Sequence, residues 1–496
     1  MATAFDSPAQ RVPRIALLGM GLALVPAIAG AQHYQRDFPP EEFKARWQKV
    51  YDRIGDAAFA VVQGAPLTDG FTFPRQYNTF YYLSGIETPG SYLLLDGRAR
   101  RATLFLPKRN EALERAEGKV LSAEDAEAVR RLTGVEEVKP VDAMTDPDWP
   151  IGAQPRGSRP IALFAELAPA EAAGQSRGEL VAAERSRALD PWDGTLSRQR
   201  RFVELLTARQ PRAGLRDLTP VLDEMRAVKS AREIALIRRA SQLAGLGLME
   251  AMRSTEPGVT EYQLDAAARY VFLVNDARLE AYRSITAAGT ANINNMHYYR
   301  NTATLADGDL VLMDYAPDYR YYVSDIGRVW PVNGKYNAWQ RELLQFVLEY
   351  HRAVMSRVRP GVTPAQIMDE AKKAMEPVFA RTKFTKPIYE QAARRLVETG
   401  GGVFSHTVGM AVHDVGSYRD GLKPGHVFSI DPQLRVPEEN LYLRYEDTVV
   451  VTDSGFENFT DFLPMELDEM EKLVREKGIV QALPPTPADR LRPPPR

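Results

Sequence analysis

The sequence predicts an α+β chain in two parts: an α/β domain, then a domain in which strands and helices are segregated. Three observations carry this. At 496 residues the chain exceeds one typical domain. Between about residues 34 and 215, short apolar runs alternate with amphipathic helical patterns, the grammar of a mixed sheet with helices packed on it. From about residue 283 onward, strands, then helices, then strands follow one another without βαβ alternation, which favours an α+β architecture.

Composition narrows the chemistry. A net charge of -2 with 26% charged residues carries neither the basic footprint of a nucleic-acid binder nor a polybasic membrane patch. With 0 cysteines, disulfides, thiolate zinc sites and cysteine nucleophiles are excluded. The 6 histidines are His33, His297, His351, His406, His413 and His426, so any metal site must lean on carboxylates.

The first 31 residues read as a signal peptide. Arg11 and Arg14 precede the apolar run Ile15–Ile28, and Ala29-Gly30-Ala31 supplies the small residues of a cleavage site, placed near Ala31–Gln32. The run is short for a membrane span, and a retained single-pass anchor is the competing reading. There is no adjacent arginine pair, so the Sec route and a periplasmic or secreted location are expected, with no membrane attachment after cleavage.

In residues 32–217, the pattern of Phe43, Trp47, Val50, Tyr51 and Ile54 predicts a helix over 41–54. Strands are expected at 57–63, 92–95, 102–106 and 161–164, with a turn at Asp96–Gly97 and helices at 111–117 and 123–132. The aromatic run from Phe73 to Gly85 fits either core or a surface packed on another domain or subunit. In residues 218–475, Ser230 with Glu233 and Thr260 with Gln263 are capping boxes that open two helices. Strands are expected at 284–288, 310–313, 321–332, 427–430 and 441–451, with helices at 338–358 and 363–380 between them. The Pro-rich residues 476–496 read as a disordered tail.

The second domain carries the chemistry. Asp314 ends the apolar run 310–313, and Asp325 follows eleven residues later. A hairpin turning near Tyr319–Arg320 would set the two carboxylates opposite one another, where like charges repel. Divalent cations held between them would remove that cost. Two solvated edge-strand aspartates would read the same way. His406 and His413 follow Gly400–Gly402, and a lone histidine is more often structural than a ligand. Asp431 closes the run 427–430, and Arg444 and Glu446, two apart in a strand, share a face.

The order Asp314, Asp325, His406, Asp431, Glu446 resembles the pita-bread metallopeptidases, namely aminopeptidase P, prolidase and methionine aminopeptidase, with creatinase as a non-metallic relative. Matching segments include His413-Asp414-Val415-Gly416, Arg444-Tyr445-Glu446-Asp447 and Pro331-Val332-Asn333-Gly334-Lys335. The run Arg75–Gly85 with Glu87 and Pro89 looks like the amino-terminal domain of the proline-specific branch, which methionine aminopeptidase lacks. The resemblance implies metal ligation by Asp314, Asp325, His406, Asp431 and Glu446, with Asp325 and Glu446 bridging and Arg444 orienting a ligand carboxylate from behind. It implies His297 and His413 on the substrate side, Glu446 also serving in catalysis, and hydrolysis of peptides with proline at the second position. One nitrogen among oxygen ligands suits two hard cations: manganese is favoured, with cobalt or zinc as alternatives. Relatives commonly form dimers or tetramers, so a homo-oligomer is expected.

Three positions depart from that pattern. Asp431 stands where glutamate is usual, shortening the ligand by roughly 1.5 Å, one C–C bond. Gly402 replaces a histidine, and Gly327 replaces a threonine. The competing functions are an Xaa-Pro dipeptidase, a creatinase-like C–N hydrolase, and a non-catalytic binding protein on a decayed peptidase scaffold. The short His413–Asp431 segment favours aminopeptidase over dipeptidase.

Overall fold

Alternation in the first half builds a six-stranded mixed sheet. The computed structural model describes residues 35–68, 74–147, 149–152 and 160–486, so the expected signal peptide lies outside the described residues. In spatial order the strands are Glu137–Pro140, Arg101–Leu106, Tyr92–Asp96, Ala58–Gln63, Ala162–Ala165 and Gly214–Asp217. The two pairs made by Tyr92–Asp96 are antiparallel, and the other pairs are parallel. The expected turn after Asp96 forms because its carboxylate accepts from the peptide nitrogens of Arg98 and Ala99, at 2.8 and 3.1 Å. Phe59, Val61, Leu94, Phe105 and Leu163 make one core with Phe202 and Leu206 of the helix Arg198–Arg209.

The second half opens with the helices Ala231–Arg253 and Glu261–Val274, and both expected capping boxes are present. A three-stranded antiparallel sheet follows, ordered Gly327–Pro331, Leu310–Asp314, Ile285–Ala288. A second sheet joins Val427–Ile430, Asp447–Val451 and Phe456–Asn458, and a ribbon pairs Gln433–Val436 with Leu441–Arg444. The helices Ala338–Met355, Pro364–Arg381 and Pro387–Thr399 pack together over these strands.

Four expectations are corrected. The run 321–332 is a strand only over Gly327–Pro331. Arg320 and Tyr321 take positive φ, 54° and 75°, to make the turn, and residues 323–325 then leave the ladder, which resumes where Ile326 O accepts from the Tyr315 nitrogen at 3.3 Å. Their backbone bonds elsewhere: the Val323 nitrogen donates to Gly409 O at 2.9 Å and the Asp325 nitrogen to Thr448 Oγ1 at 3.0 Å. The run 441–451 is broken at Tyr445–Glu446, because Glu446 pairs with Gly327 of the other sheet. The helix Pro387–Thr399 was not anticipated; Gly400, at φ 74°, is its left-handed C-cap rather than part of a loop at the site. The Pro-rich tail begins ordered: Ile479–Ala482 is a helical turn held by Glu250, which accepts from the Ile479 nitrogen at 2.6 Å, and by Gln481 donating to Ser254 O at 3.0 Å.

The aromatic run, described from Pro74 onward, packs against the second half. Tyr81 stacks on Tyr321 with centroids 3.5 Å apart and planes 8° from parallel. Arg75 pairs with Asp318 at 2.5 Å and lies over the Tyr321 ring. Beside it a buried ion network runs through Arg177, Glu171, Arg226, Asp414 and Lys229, with Asp223 closing on Arg177.

Candidate metal centre

The centre forms where the two sheets of the second half meet. Asp314 ends a fully buried strand whose register sets it opposite Gly327 on one side and Ile285 on the other. The expected hairpin exists, but it turns one residue later, at Arg320–Tyr321 with Tyr319 bridged to Tyr322, so Asp314 falls opposite Gly327 and Asp325 is two residues off the opposed position. Thr448 fixes Asp325 instead, donating to its carbonyl at 2.8 Å and accepting from its nitrogen at 3.0 Å. Glu446 exchanges two backbone hydrogen bonds with Gly327, at 3.0 and 3.3 Å. A Cβ at Gly327 would stand 3.0 Å from Glu446 Oε2, so the bare glycine lets that carboxylate lie against the strand. Asp314, Asp325 and Glu446 thereby each offer an oxygen within 4.8 Å of the others, all three buried.

His406 and Asp431 flank this group. His406 Nε2 is 3.3 Å from Asp325 Oδ2, while its Nδ1 lies 3.1 Å from Thr407 O. A proton on Nδ1 leaves the Nε2 lone pair facing the carboxylates, the usual arrangement of a ligating histidine. Arg444 stands among the acids as expected: its Nη2 pairs with Asp314, Nη1 is 3.5 Å from Asp431 Oδ2, and Nε is 3.7 Å from Glu446 Oε2. Asp431 lies across this guanidinium from the tight group. Its Oδ1 and Glu446 Oε2 are buried with no hydrogen-bond partner.

Orphaned buried carboxylate oxygens are costly, and a cation is the group that satisfies them. The electrostatics agree. Burial pushes the Asp314 carboxyl up to about 6, with the Arg444 charge opposing. Burial, reinforced by Glu446 and Asp314, pushes Asp325 well above the carboxylate range, and burial with Glu446 does the same to Asp431. Burial lowers both His406 and His413 to about 4, so each is neutral near pH 7. Neutral imidazole beside carboxylates that resist ionising together is a donor set that fits divalent cations.

Of the substrate-side candidates, His413 is half-buried with its ring 4.1 Å from that of His406, and His297 is exposed with its ring 6.5 Å from His413. A cavity of about 470 Å³ opens here, lined by Ser405, His406 and His413 and by Ser176, Arg177 and Asp223 from the first half and the junction.

Sequence reasoning missed four contributors. Tyr282 donates to Asp314 Oδ1 and, at 3.2 Å, to Asp325 Oδ1, but it sits in an irregular segment with no local signal. Thr448 and Ser429, the latter donating to Glu446 at 3.1 Å, lie on strands adjoining the site. Ser429 is two residues from Asp431 and could have been found by strand alternation. Gln433, whose Nε2 donates to Asp431 Oδ2, is the fourth.

Comparison with known proteins agrees with this geometry. Residues 235–453 match the model of metallopeptidase family M24, and residues 43–147 match the aminopeptidase P N-terminal domain. The chain is 29% identical over 467 residues to a Haemophilus influenzae Xaa-Pro aminopeptidase, covering 89% of this chain and 99% of that protein. It is 34% identical over 274 residues to an Escherichia coli Xaa-Pro aminopeptidase, covering 52% and 62% of the two chains. Among solved structures, zinc-substituted E. coli aminopeptidase P in complex with product superposes with a TM-score of 0.70 at 26% identity, covering 88% of this chain and 99% of that one. The two family-model matches together with the Xaa-Pro aminopeptidase relatives support the pita-bread aminopeptidase P family and a metallo-aminopeptidase enzyme for this chain.

Proposed function

We propose that this chain is an exported aminopeptidase that removes the residue ahead of an N-terminal Xaa-Pro bond and works with two divalent cations, manganese being favoured. The observation that carries the reading is the buried group of Asp314, Asp325 and Glu446 within 4.8 Å, in a chain whose relatives are named Xaa-Pro aminopeptidases. Asp314, Asp325, His406, Asp431 and Glu446 would hold the cations, which supply a Lewis acid and a water of lowered pKa. Glu446, whose Oε2 is buried without a hydrogen-bond partner, is the proton acceptor the chain provides. Arg444 restrains Asp314 and keeps the excess negative charge tolerable. His413, neutral near pH 7, keeps one N–H to donate toward the scissile carbonyl oxygen, and His297 reaches the same cleft from its exposed rim.

The purified chain loaded with Mn²⁺ should release the first residue of Xaa-Pro-Yaa peptides and spare Xaa-Ala-Yaa. Absence of cleavage by the loaded protein overturns the assignment, and equal cleavage of both overturns its proline requirement. Export rests on the pattern of residues 1–31. An N-terminus at Gln32 in the periplasmic or secreted fraction is the expected mass-spectrometric result; an intact Met1 in the cytoplasm overturns it. A homo-oligomer is expected by light scattering.

A further inference from the structure

Asp431 is one methylene shorter than the glutamate usual at its position, and the structure contains a device that acts on it. Gly402, at φ 87°, packs against the Asp431 strand with no side chain. A Cβ there would fall 2.5 Å from Gln433 Nε2 and 2.6 Å from its Cδ. The Gln433 carboxamide therefore occupies the volume that any side chain at position 402 would fill. From that seat its Nε2 donates to Asp431 Oδ2. The loop is tied to the strand by a further bond, the Gln433 nitrogen donating to Gly401 O at 2.8 Å. The consequence for Asp431 is asymmetric. Oδ2 is committed to Gln433 and faces Arg444 Nη1 at 3.5 Å, while Oδ1 is buried without any partner.

We propose that Gln433, seated over Gly402, is a positioning residue that makes Asp431 a one-oxygen cation ligand through Oδ1. The inference rests on the two-cation reading above and deepens it, because it says how a shortened ligand is held for one of the cations. A free Asp431 carboxylate could rotate about χ2 and give either oxygen to Arg444. The amide of Gln433 removes that freedom, and loss of such an outer hydrogen bond typically costs about 10–100-fold in metal affinity.

The test is calorimetric titration of Mn²⁺ alone into the metal-stripped full chain, for wild type, Gln433→Met and Gln433→Glu. Methionine keeps the length and volume and removes the donor; glutamate replaces the donor with a like charge. The expected result is that Gln433→Met weakens one of the two binding steps by about tenfold or more and leaves the other within about twofold. Gln433→Glu should weaken the same step further. The metal-free melting temperature of Gln433→Met should stay within a few degrees of wild type. The visible spectrum of the Co²⁺-loaded protein should change for the second equivalent only. Wild-type affinities in Gln433→Met overturn the proposal and leave the two-cation reading standing, as does equal weakening of both steps together with a lowered melting temperature. A wild-type chain that binds no Mn²⁺ overturns the two-cation reading itself, and this inference with it.

Discussion

Two buried clusters of charge lie within a few residues of each other along the chain, and they are built on opposite principles. At the junction, the cations Arg177, Arg226 and Lys229 interleave with the carboxylates Glu171, Asp223 and Asp414. The Arg226 and Lys229 charges hold Asp414 below the ordinary carboxylate range although burial opposes them. At the metal centre, Asp314, Asp431 and Glu446 share the Arg444 guanidinium, Asp325 lies beside them against His406, and the carboxyls of Asp314, Asp325 and Asp431 are pushed up. His413 and Asp414, neighbours in sequence, belong to different clusters. A cluster whose charges nearly cancel ties two halves of a protein together, whereas one with excess like charge is a site waiting for an ion.

The comparison breaks most visibly at Asp325. Asp325→Ala removes an oxygen from the gathered trio, and the loss of Mn²⁺ affinity and peptidase activity should exceed the roughly 100-fold ceiling typical of outer-layer residues. Mn²⁺ content after dialysis, with turnover of an Xaa-Pro peptide, reads it; retained metal and activity would show that the trio is not the site. Next in size are the two arginines. Arg226→Leu leaves Glu171 and Asp414 buried without their partner and should cost about 3–5 kcal/mol in urea unfolding. Saturating Mn²⁺ should stabilise this variant and wild type alike and leave the deficit between them in place, because the described residues gather no cation site at the junction. Arg444→Leu should cost the metal-free protein a similar amount, and there Mn²⁺ should recover much of it by supplying the missing positive charge. Equal responses of the two variants to Mn²⁺ would erase the distinction.

The difference between the clusters also explains what was legible in the sequence. Asp314, Asp325, His406 and Glu446 stand out because an acid or histidine at the edge of an apolar run is locally improbable, and their order adds to the signal. Four of the six strands of the first-half sheet were legible as apolar runs, Tyr92–Asp96 and Arg101–Leu106 within a residue of the expected bounds, whereas the polar, half-exposed edge strands Glu137–Pro140 and Gly214–Asp217 were not. Register was not. Whether Asp314 faces Asp325 or Gly327 depends on where the hairpin turns, at the positive-φ residues Arg320 and Tyr321, and Asp325 is then held by Thr448, 123 positions away. Gln433 and Tyr282 were invisible because their roles exist only in the folded site. The helix Pro387–Thr399 was passed over although Pro387 at its start and Gly400 past its end are ordinary helix punctuation. The ion network at the junction is a set of unremarkable charges until folding brings positions 171, 226 and 414 together.

Titration separates the clusters by a smaller factor. The Asp314 carboxyl, pushed up to about 6, and the raised carboxyls of Asp325 and Asp431 hold protons that a cation must displace. Below about pH 6 protons therefore compete, and apparent Mn²⁺ affinity should fall by about tenfold per pH unit for each such proton displaced. His406, lowered to about 4, is already neutral in this range and adds nothing to the competition until the pH falls further. The junction carboxylate Asp414, held low, stays charged throughout. Calorimetry at pH 5, 6 and 7 in buffers of different ionisation heat measures both the affinity and the protons released. A pH-independent affinity would mean that the centre is already ionised and differs less from the junction than its burial implies.

The smallest expected effect probes whether the two regions are coupled at all. Tyr81 stacks on Tyr321, and Tyr321 lies in the turn that delivers Asp325 to the centre. Tyr81→Leu keeps an apolar side chain and loses the stack, a contribution of about 1 kcal/mol beyond area burial. If the first half serves only to hold and wall the cleft, urea unfolding should register that loss while Mn²⁺ stoichiometry and affinity remain those of wild type. The same turn is also anchored by Asp318, which accepts from the Tyr321 nitrogen at 2.8 Å, so Asp325 keeps a second restraint when the ring contact is gone. A weakened Mn²⁺ step in Tyr81→Leu would show instead that contact across the junction sets the position of Asp325, and that the adhesive cluster and the ion site are parts of one device.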